Sequence, residues 1–219
     1  MIKLFAFLLV LSSVAAAQAP YTREKEWSRD MAQLADIDTK QTPPIDAVVF
    51  TGSSTIRMWT SLRSDFPRVN VINRGFGGSR LDDLVFFAPK VVLPYKPKMI
   101  VVYSGENDIE AKERAENALA DFKDFIAFRD KNLPKTPIIY LSIKPSILRW
   151  NIWPEMKRGN ELIEAETKLH KNVRFVDISA KMLASGGGKP PADIFLADGL
   201  HLNAKGYAIL REALLPFVK

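Results

Sequence analysis

Five short runs of apolar and β-branched residues punctuate the chain, over 47–50, 69–72, 99–103, 138–142 and 173–176, each ended by small or polar residues. Runs that are apolar throughout suit strands covered on both faces, because a half-exposed strand alternates instead. Between them the spacing turns helical. Ala115, Ala118, Leu119, Phe122 and Ile126 recur at one-turn intervals, as do Ile209, Ala213 and Phe217. Residues 22–34 and 155–169 are further helical stretches. Strands that alternate with helices predict an α/β fold, a three-layer α/β/α sandwich around a central five-stranded parallel sheet. No repeat and no Pro/Gly/Ser-rich linker divides the chain, so one domain is expected over 18–219. The loose stretch 185–191 (SGGGKPP) contains Gly-Lys, but Pro190 stands where a phosphate-binding loop needs Ser or Thr.

The first residues follow a different pattern. Lys3, the short apolar run over 4–14 and Ala15-Ala16-Ala17 have the order of a signal peptide, expected over 1–17. Cleavage after Ala17 leaves Gln18 first, whereas cleavage after Ala19 would put Pro20 there. The apolar run is too short to span a bilayer, so the chain is expected to be exported, periplasmic or secreted, with no stable membrane insertion. There is no cysteine, which excludes a lipoprotein anchor, a thiol nucleophile and thiolate zinc sites. With 47% hydrophobic and 26% charged residues in 219, a core must supply the stability that disulfides do not. The formal charge is +6, and loss of Lys3 lowers it by one, to +5. Bases and acids are interspersed, with no basic stripe, so no nucleic-acid partner is expected.

Chemistry in such sheets gathers at the carboxyl ends of the strands, and the loops there are expected to open on one edge. Only two histidines exist. His170 closes a charged helical stretch between Lys168 and Lys171, with no acid placed to orient it, and reads as a solvated surface residue. His201 lies three residues after Asp198, close enough in one turn for the carboxylate to fix the imidazole tautomer. A nucleophile for such a base could be Ser53 or Ser54, which follow Gly52 where a helix can begin and expose backbone N–H groups. Asn73-Arg74-Gly75-Phe76-Gly77-Gly78-Ser79, after the second strand, lets backbone approach a ligand closely. Gly105-Glu106-Asn107-Asp108, after the third, brings a side-chain amide donor.

These four stretches, in this order, resemble the four sequence blocks of the SGNH hydrolase superfamily, the GDSL-like lipases and esterases. The serine block is Val-Val-Phe-Thr-Gly-Ser-Ser-Thr-Ile-Arg-Met-Trp (48–59), the glycine block Asn-Arg-Gly-Phe-Gly-Gly-Ser (73–79). Gly-Glu-Asn-Asp (105–108) and Asp-Gly-Leu-His (198–201) complete the set. The resemblance implies the flavodoxin-like fold of those enzymes and a triad of Ser54, Asp198 and His201. It also implies an oxyanion hole of the Ser54 and Gly78 N–H groups with the Asn107 amide, and no metal or organic cofactor. The family's usual Asp before the nucleophile is Ser53 here, a Gly-Ser-Ser variant, which bears on substrate subgroup more than on activity. The set is also similar to bacterial relatives of platelet-activating-factor acetylhydrolase.

An α/β-hydrolase would need a Gly-x-Ser-x-Gly elbow, and neither serine has one. A flavodoxin-like FMN binder could use the hydroxyl-rich loop 51–55 but leaves Asn107 and the Asp198–His201 turn unexplained. A non-catalytic binding module of the same fold would not need every one of these positions filled. The expected reaction is therefore hydrolysis of carboxylic esters through an acyl-enzyme, on short-chain acyl or acetyl esters such as those of carbohydrate. Lysophospholipase or thioesterase chemistry is the alternative. Arg149, Trp150 and Trp153, after the fourth strand, are the candidate substrate-binding residues.

Overall fold

A computed structural model describes residues 22–219; the expected signal peptide, 1–17, lies outside them. Two helices, α1 (Arg23–Glu26) and α2 (Ser28–Lys40), lead into strand β1 (Val48–Gly52). After it come α3 (Ser54–Arg57), α4 (Leu62–Asp65), β2 (Val71–Gly75), α5 (Leu81–Val91) and β3 (Met99–Tyr103). The chain continues through α6 (Glu106–Glu110), α7 (Ala115–Asn132), β4 (Ile138–Leu141), α8 (Trp153–Thr167) and β5 (Val173–Val176). It closes with α9 (Ser179–Ser185) and α10 (Ala204–Leu214). The five strands form one parallel sheet in the order β2-β1-β3-β4-β5. From β1 the chain first adds β2 on one side and then crosses to place β3 on the other. The loops after β1 and β3 therefore diverge and leave a crevice at their carboxyl ends.

Alternate side chains of the strands feed two cores. On one face Val48, Phe50, Val101, Tyr103, Ile139 and Leu141 pack against Trp59, Leu62 and Phe66 and against Tyr207, Leu210 and Leu214 of α10. On the other, Ile100, Val102, Ile138 and Tyr140 meet α5, α7 and α8 through Leu84, Phe87, Phe122, Phe125 and Ile163. This two-sided cover is why the strands read as continuous apolar runs. No helix among the described residues is long and apolar enough to cross a membrane.

Two local expectations change. The helix expected over 22–34 breaks at Trp27, which is 4% exposed, lies edge-on to Phe76 and Phe87, and donates from Nε1 to the Gly77 carbonyl at 3.0 Å. Burying so large a ring is worth about 2–3 kcal/mol, more than the few helical hydrogen bonds lost. Strands β1 and β2 extend through Gly52 and Gly75, beyond their apolar runs. Polar residues are tolerated there because each has a partner. Thr51 donates to the Arg74 carbonyl, and Arg74, 4% exposed, pairs with Asp38 and donates to the Tyr95 hydroxyl. Helix α5 is hard to read in the sequence because Pro89 lies inside it. Its buried stripe, Leu81, Leu84, Ala88 and Val91, holds it to the sheet all the same.

Candidate active site

Strand β1 ends at Gly52 in a left-handed conformation (φ +119°), where a Cβ would stand 1.9 Å from the Tyr103 carbonyl oxygen. Only glycine lets β1 and β3 remain paired there. The Ser53 N–H then donates to that carbonyl at 3.0 Å, and the Ser53 carbonyl accepts from Ile56 and Arg57, so α3 begins at Ser54. Residue chemistry left both serines open, and the fold separates them. Ser53 is 2% exposed, whereas Ser54 stands at the rim with its Oγ 3.1 Å from His201 Nε2.

The other nitrogen of His201, Nδ1, lies 2.6 Å from Asp198 Oδ2, and Asp198 Oδ1 accepts from the backbone N–H groups of Leu200 and His201, each at 2.9 Å. These bonds, the imidazole's first, pull the Asp198 carboxyl down to about 2, although nearly half of the side chain faces solvent. The turn is the tip of a small hairpin, bridged at Phe195 and Leu202 and closed by the Leu196 N–H on the His201 carbonyl at 2.7 Å. Asn203 ties its base to the N-terminus of α10, accepting from Lys205 and Gly206. Two braces hold it to the rest of the site. The Gly199 carbonyl accepts from Ile147 and Leu148 at 3.0 and 3.1 Å, and Tyr207 of α10 donates to the Thr55 carbonyl at 2.9 Å.

His170 lies before β5, at the amino edge of the sheet, opposite this cluster. The expectation that no acid attends it fails. Glu166 Oε1 lies 3.0 Å from its Nε2, one helical turn earlier, and that bond is the first cause of the lowered Glu166 carboxyl.

Gly78 and Asn107 follow β2 and β3 at the same carboxyl edge of the sheet and line one hollow. Gly78 has φ +79°, and a Cβ there would meet nothing within 4 Å, so backbone conformation rather than space selects glycine. The N–H groups of Ser54, at a helix start, and of Gly78 have no acceptor among the described residues. Asn107 Nδ2 donates one hydrogen to the Ser79 carbonyl at 3.0 Å, and its Oδ1 accepts from Arg149 Nη1 at 3.0 Å. That hollow, of about 440 Å³, is lined by Gly78, Asn107, Trp27, Glu26, Arg80 and Glu110, with Ser54 and His201 outside its lining. A larger hollow, about 740 Å³, runs along the β2 edge and contains none of them.

Of the three candidate substrate-binding residues, Trp150 is half-buried and stacks on Trp153, which is 8% exposed. Arg149 turns its polar edge inward, toward Asn107, Glu106 and Glu110. Sequence reasoning missed the groups beneath Asn107. Glu106 accepts from Lys144 Nζ at 2.9 and 2.7 Å and from the Tyr103 hydroxyl at 2.6 Å, all three almost fully buried. A trace existed, since an acid and a base each follow an apolar strand.

One group of carboxylates has a spacing that could hold a cation: oxygens of Asp108, Glu113 and Asp121 lie within 4.8 Å of one another. Burial first, and the neighbouring carboxylates after it, push Asp108 up to about 7 and Asp121 to about 6, so protons can also neutralise the group. Glu113 is held by Arg80 Nη1 at 2.8 Å. Asp108 Oδ1 accepts from the Leu81 N–H at 2.9 Å, which fixes the start of α5 against the Asn107 turn.

An imidazole within reach of a hydroxyl and oriented by an ionised carboxylate can take that proton, and free N–H donors beside it can hold a developing oxyanion. Residues 41–209 match the family model described as the GDSL-like lipase/acylhydrolase family. Among solved structures, a Streptococcus pneumoniae protein named for platelet activating factor is 20% identical with a TM-score of 0.78, covering 89% of this chain and 94% of that one. A GDSL-like lipase from Bacteroides thetaiotaomicron is 21% identical with a TM-score of 0.71, covering 86% and 96%. A mutant of an acetyl-xylooligosaccharide esterase from Geobacillus stearothermophilus is 18% identical with a TM-score of 0.66, covering 79% and 94%. No curated protein matches the chain in sequence.

Proposed function

Since the chain belongs to the GDSL-like lipase/acylhydrolase family, and so to hydrolases that act on esters, we propose that Ser54, His201 and Asp198 cleave carboxylic esters through an acyl-enzyme. The observation that carries this reading is the continuous path from Ser54 Oγ through His201 to Asp198, with the Ser54 N–H beside it and without an acceptor among the described residues. Ser54 Oγ attacks the ester carbonyl carbon and His201 Nε2 takes its proton. The oxyanion rests on the N–H groups of Ser54 and Gly78 and on the remaining Asn107 Nδ2 hydrogen. As the tetrahedral species collapses, His201 returns the proton to the departing alcohol. Water then attacks the acyl carbon, again giving its proton to His201, and the acid leaves with Ser54 restored.

The polar lining of the hollow beside Gly78 and Asn107, with Glu26, Arg80 and Glu110, favours a small acyl group on a polar alcohol such as acetylated carbohydrate. The acetyl-xylooligosaccharide esterase among the structural neighbours supports the same class. Trp150, backed by Trp153, is the proposed stacking surface. One observation favours a second reading, a longer acyl chain as in lysophospholipids. Ile147, Leu148 and Leu196 are 45%, 59% and 43% exposed around the Asp198–His201 turn. The order of charged, apolar and small residues over 1–17 supports export, checked by a native mass that begins at Gln18.

Turnover of p-nitrophenyl acetate tests the core of the scheme. Ser54→Ala is expected to abolish it and Ser53→Ala to retain a substantial part. A dead Ser53→Ala beside an active Ser54→Ala overturns the assignment. A panel of acetylated sugars against long-chain esters separates the two substrate readings.

A further inference from the structure

The reaction scheme above leaves a set of charged groups behind Asn107 without a part. Glu106 and Glu110 lie one turn apart on α6, and Arg149 reaches between them, its Nη1 3.6 Å from Glu106 and its Nε 3.2 Å from Glu110. Asn107 sits between the two acids in sequence and takes a hydrogen bond from the same Nη1. We propose that Arg149 is a positioning residue for the oxyanion hole. It holds the Asn107 amide with its N–H edge toward the substrate, and the buried Glu106–Lys144–Tyr103 cluster holds Arg149. The inference rests on the proposed esterase chemistry.

An amide side chain has two ends of nearly equal size and opposite polarity. Flipped, Asn107 would aim lone pairs at the oxyanion. Guanidinium groups only donate, so the end that faces Arg149 must be Oδ1; carbonyls only accept, so the end that faces Ser79 must be Nδ2. The two constraints agree, and they leave one Nδ2 hydrogen unused. The Arg149 side chain is 14% exposed, so its bond to Oδ1 acts with little competition from water and also polarises the amide.

Arg149 needs an anchor, because an arginine at the end of a loop has many rotamers. Glu106 provides it by being fixed itself: Lys144 occupies both of its oxygens and Tyr103 donates to one. Lys144 and Glu106 balance each other in the interior, while Glu110, half in solvent, faces the Arg149 guanidinium at the rim, which makes the burial tolerable. Burial pushes Lys144 down while Glu106 opposes that, and it pushes Tyr103 well above a phenol's usual range, so the hydroxyl remains a donor. The loop that carries Arg149 also sends the N–H groups of Ile147 and Leu148 to the Gly199 carbonyl. One strap after β4 therefore braces both the Asp198–His201 turn and the oxyanion amide.

A double-mutant cycle separates this role from general support. p-Nitrophenyl acetate kinetics are measured for the parent enzyme, Asn107→Ala, Arg149→Ala and the pair. Arg149→Ala is expected to lower kcat about tenfold at nearly constant KM, part of what a lost oxyanion donor costs. Added to Asn107→Ala it should cost less than about twofold, because there is no amide left to orient. Arg149→Lys keeps a charge between Glu106 and Glu110 without the fork. It is expected to retain the fold, to lose part of kcat and to show the same non-additivity, and its cycle decides if Arg149→Ala does not fold. Equal losses with and without Asn107, no loss in kcat, or a rise in KM alone overturns the proposal. An additive cycle in an enzyme that Ser54→Ala kills rejects the positioning role alone. Activity that survives Ser54→Ala rejects the esterase scheme beneath it.

Discussion

The Asp198–His201 turn makes its defining bonds within four residues and stands partly in solvent, whereas Asn107 depends on groups from β3, α6, the loop after β4 and the turn before α5. Asp198 remains ionised because three hydrogen bonds reach it locally, with nearly half of its side chain in water. Glu106 and Lys144 have no such freedom. Out of water, the Lys144 ammonium is held by both Glu106 oxygens within 3 Å, and the Tyr103 hydroxyl donates to the same carboxylate. The exposed half can thus be specified by a short segment, while the buried half requires several segments to arrive together.

Substitution at the exposed half should produce the largest kinetic effect. His201→Ala is expected to lower kcat by about 10⁴–10⁶ with the circular dichroism unchanged, since the turn's backbone bonds do not use the ring. His170→Ala should keep the rate despite its own carboxylate partner, Glu166. A folded, inactive His170→Ala would show that a local acid–histidine pair at the wrong edge of the sheet matters, and the comparison would collapse. At the buried half, Asn107→Ala should lower kcat by about 10²–10³, the cost of one oxyanion donor. A change confined to KM would instead make the amide a ground-state contact.

The last effect is on stability rather than rate and comes from Asp108, next to Asn107 in the same turn. Its folded-state carboxyl is raised from 3.8 to about 7, so between those values the unfolded chain gives up a proton that the folded chain keeps. Stability should therefore fall as pH rises through this window, by at most ~1.4 kcal/mol for each unit. Asp108→Asn, which can still accept from the Leu81 N–H, should lack that slope, read as urea midpoints at pH 5 and pH 8. Equal slopes in the two proteins would mean that Asp108 is already ionised at pH 5.

Much of the site was legible because its signals are local. Asp198 and His201 share a turn, and Ser54, Gly78 and Asn107 each follow an apolar run at a strand end. Legibility stopped where partners lie far apart. Glu106 and Lys144 are 38 positions apart, Arg149 and Asn107 are 42, and nothing in either segment names its counterpart. Glu166 is a different case, since its four-residue spacing from His170 is itself local.

By itself the sequence determined the α/β alternation and the apolar character of the strands, because periodicity and two-sided burial are properties of contiguous residues. It also placed the loops that carry Ser54, Gly78 and Asn107 on one edge of the sheet, because parallel strands all end there. The tertiary structure alone decided that β3 lies beside β4, which sets Tyr103 and Glu106 against Lys144 and brings Arg149 to Asn107. It alone decided that Trp27 would break a helix to reach Phe76 and Phe87. The physical reason is common to these cases: the free energy of a buried charge or ring depends on what surrounds it, and those surroundings come from parts of the chain distant in sequence.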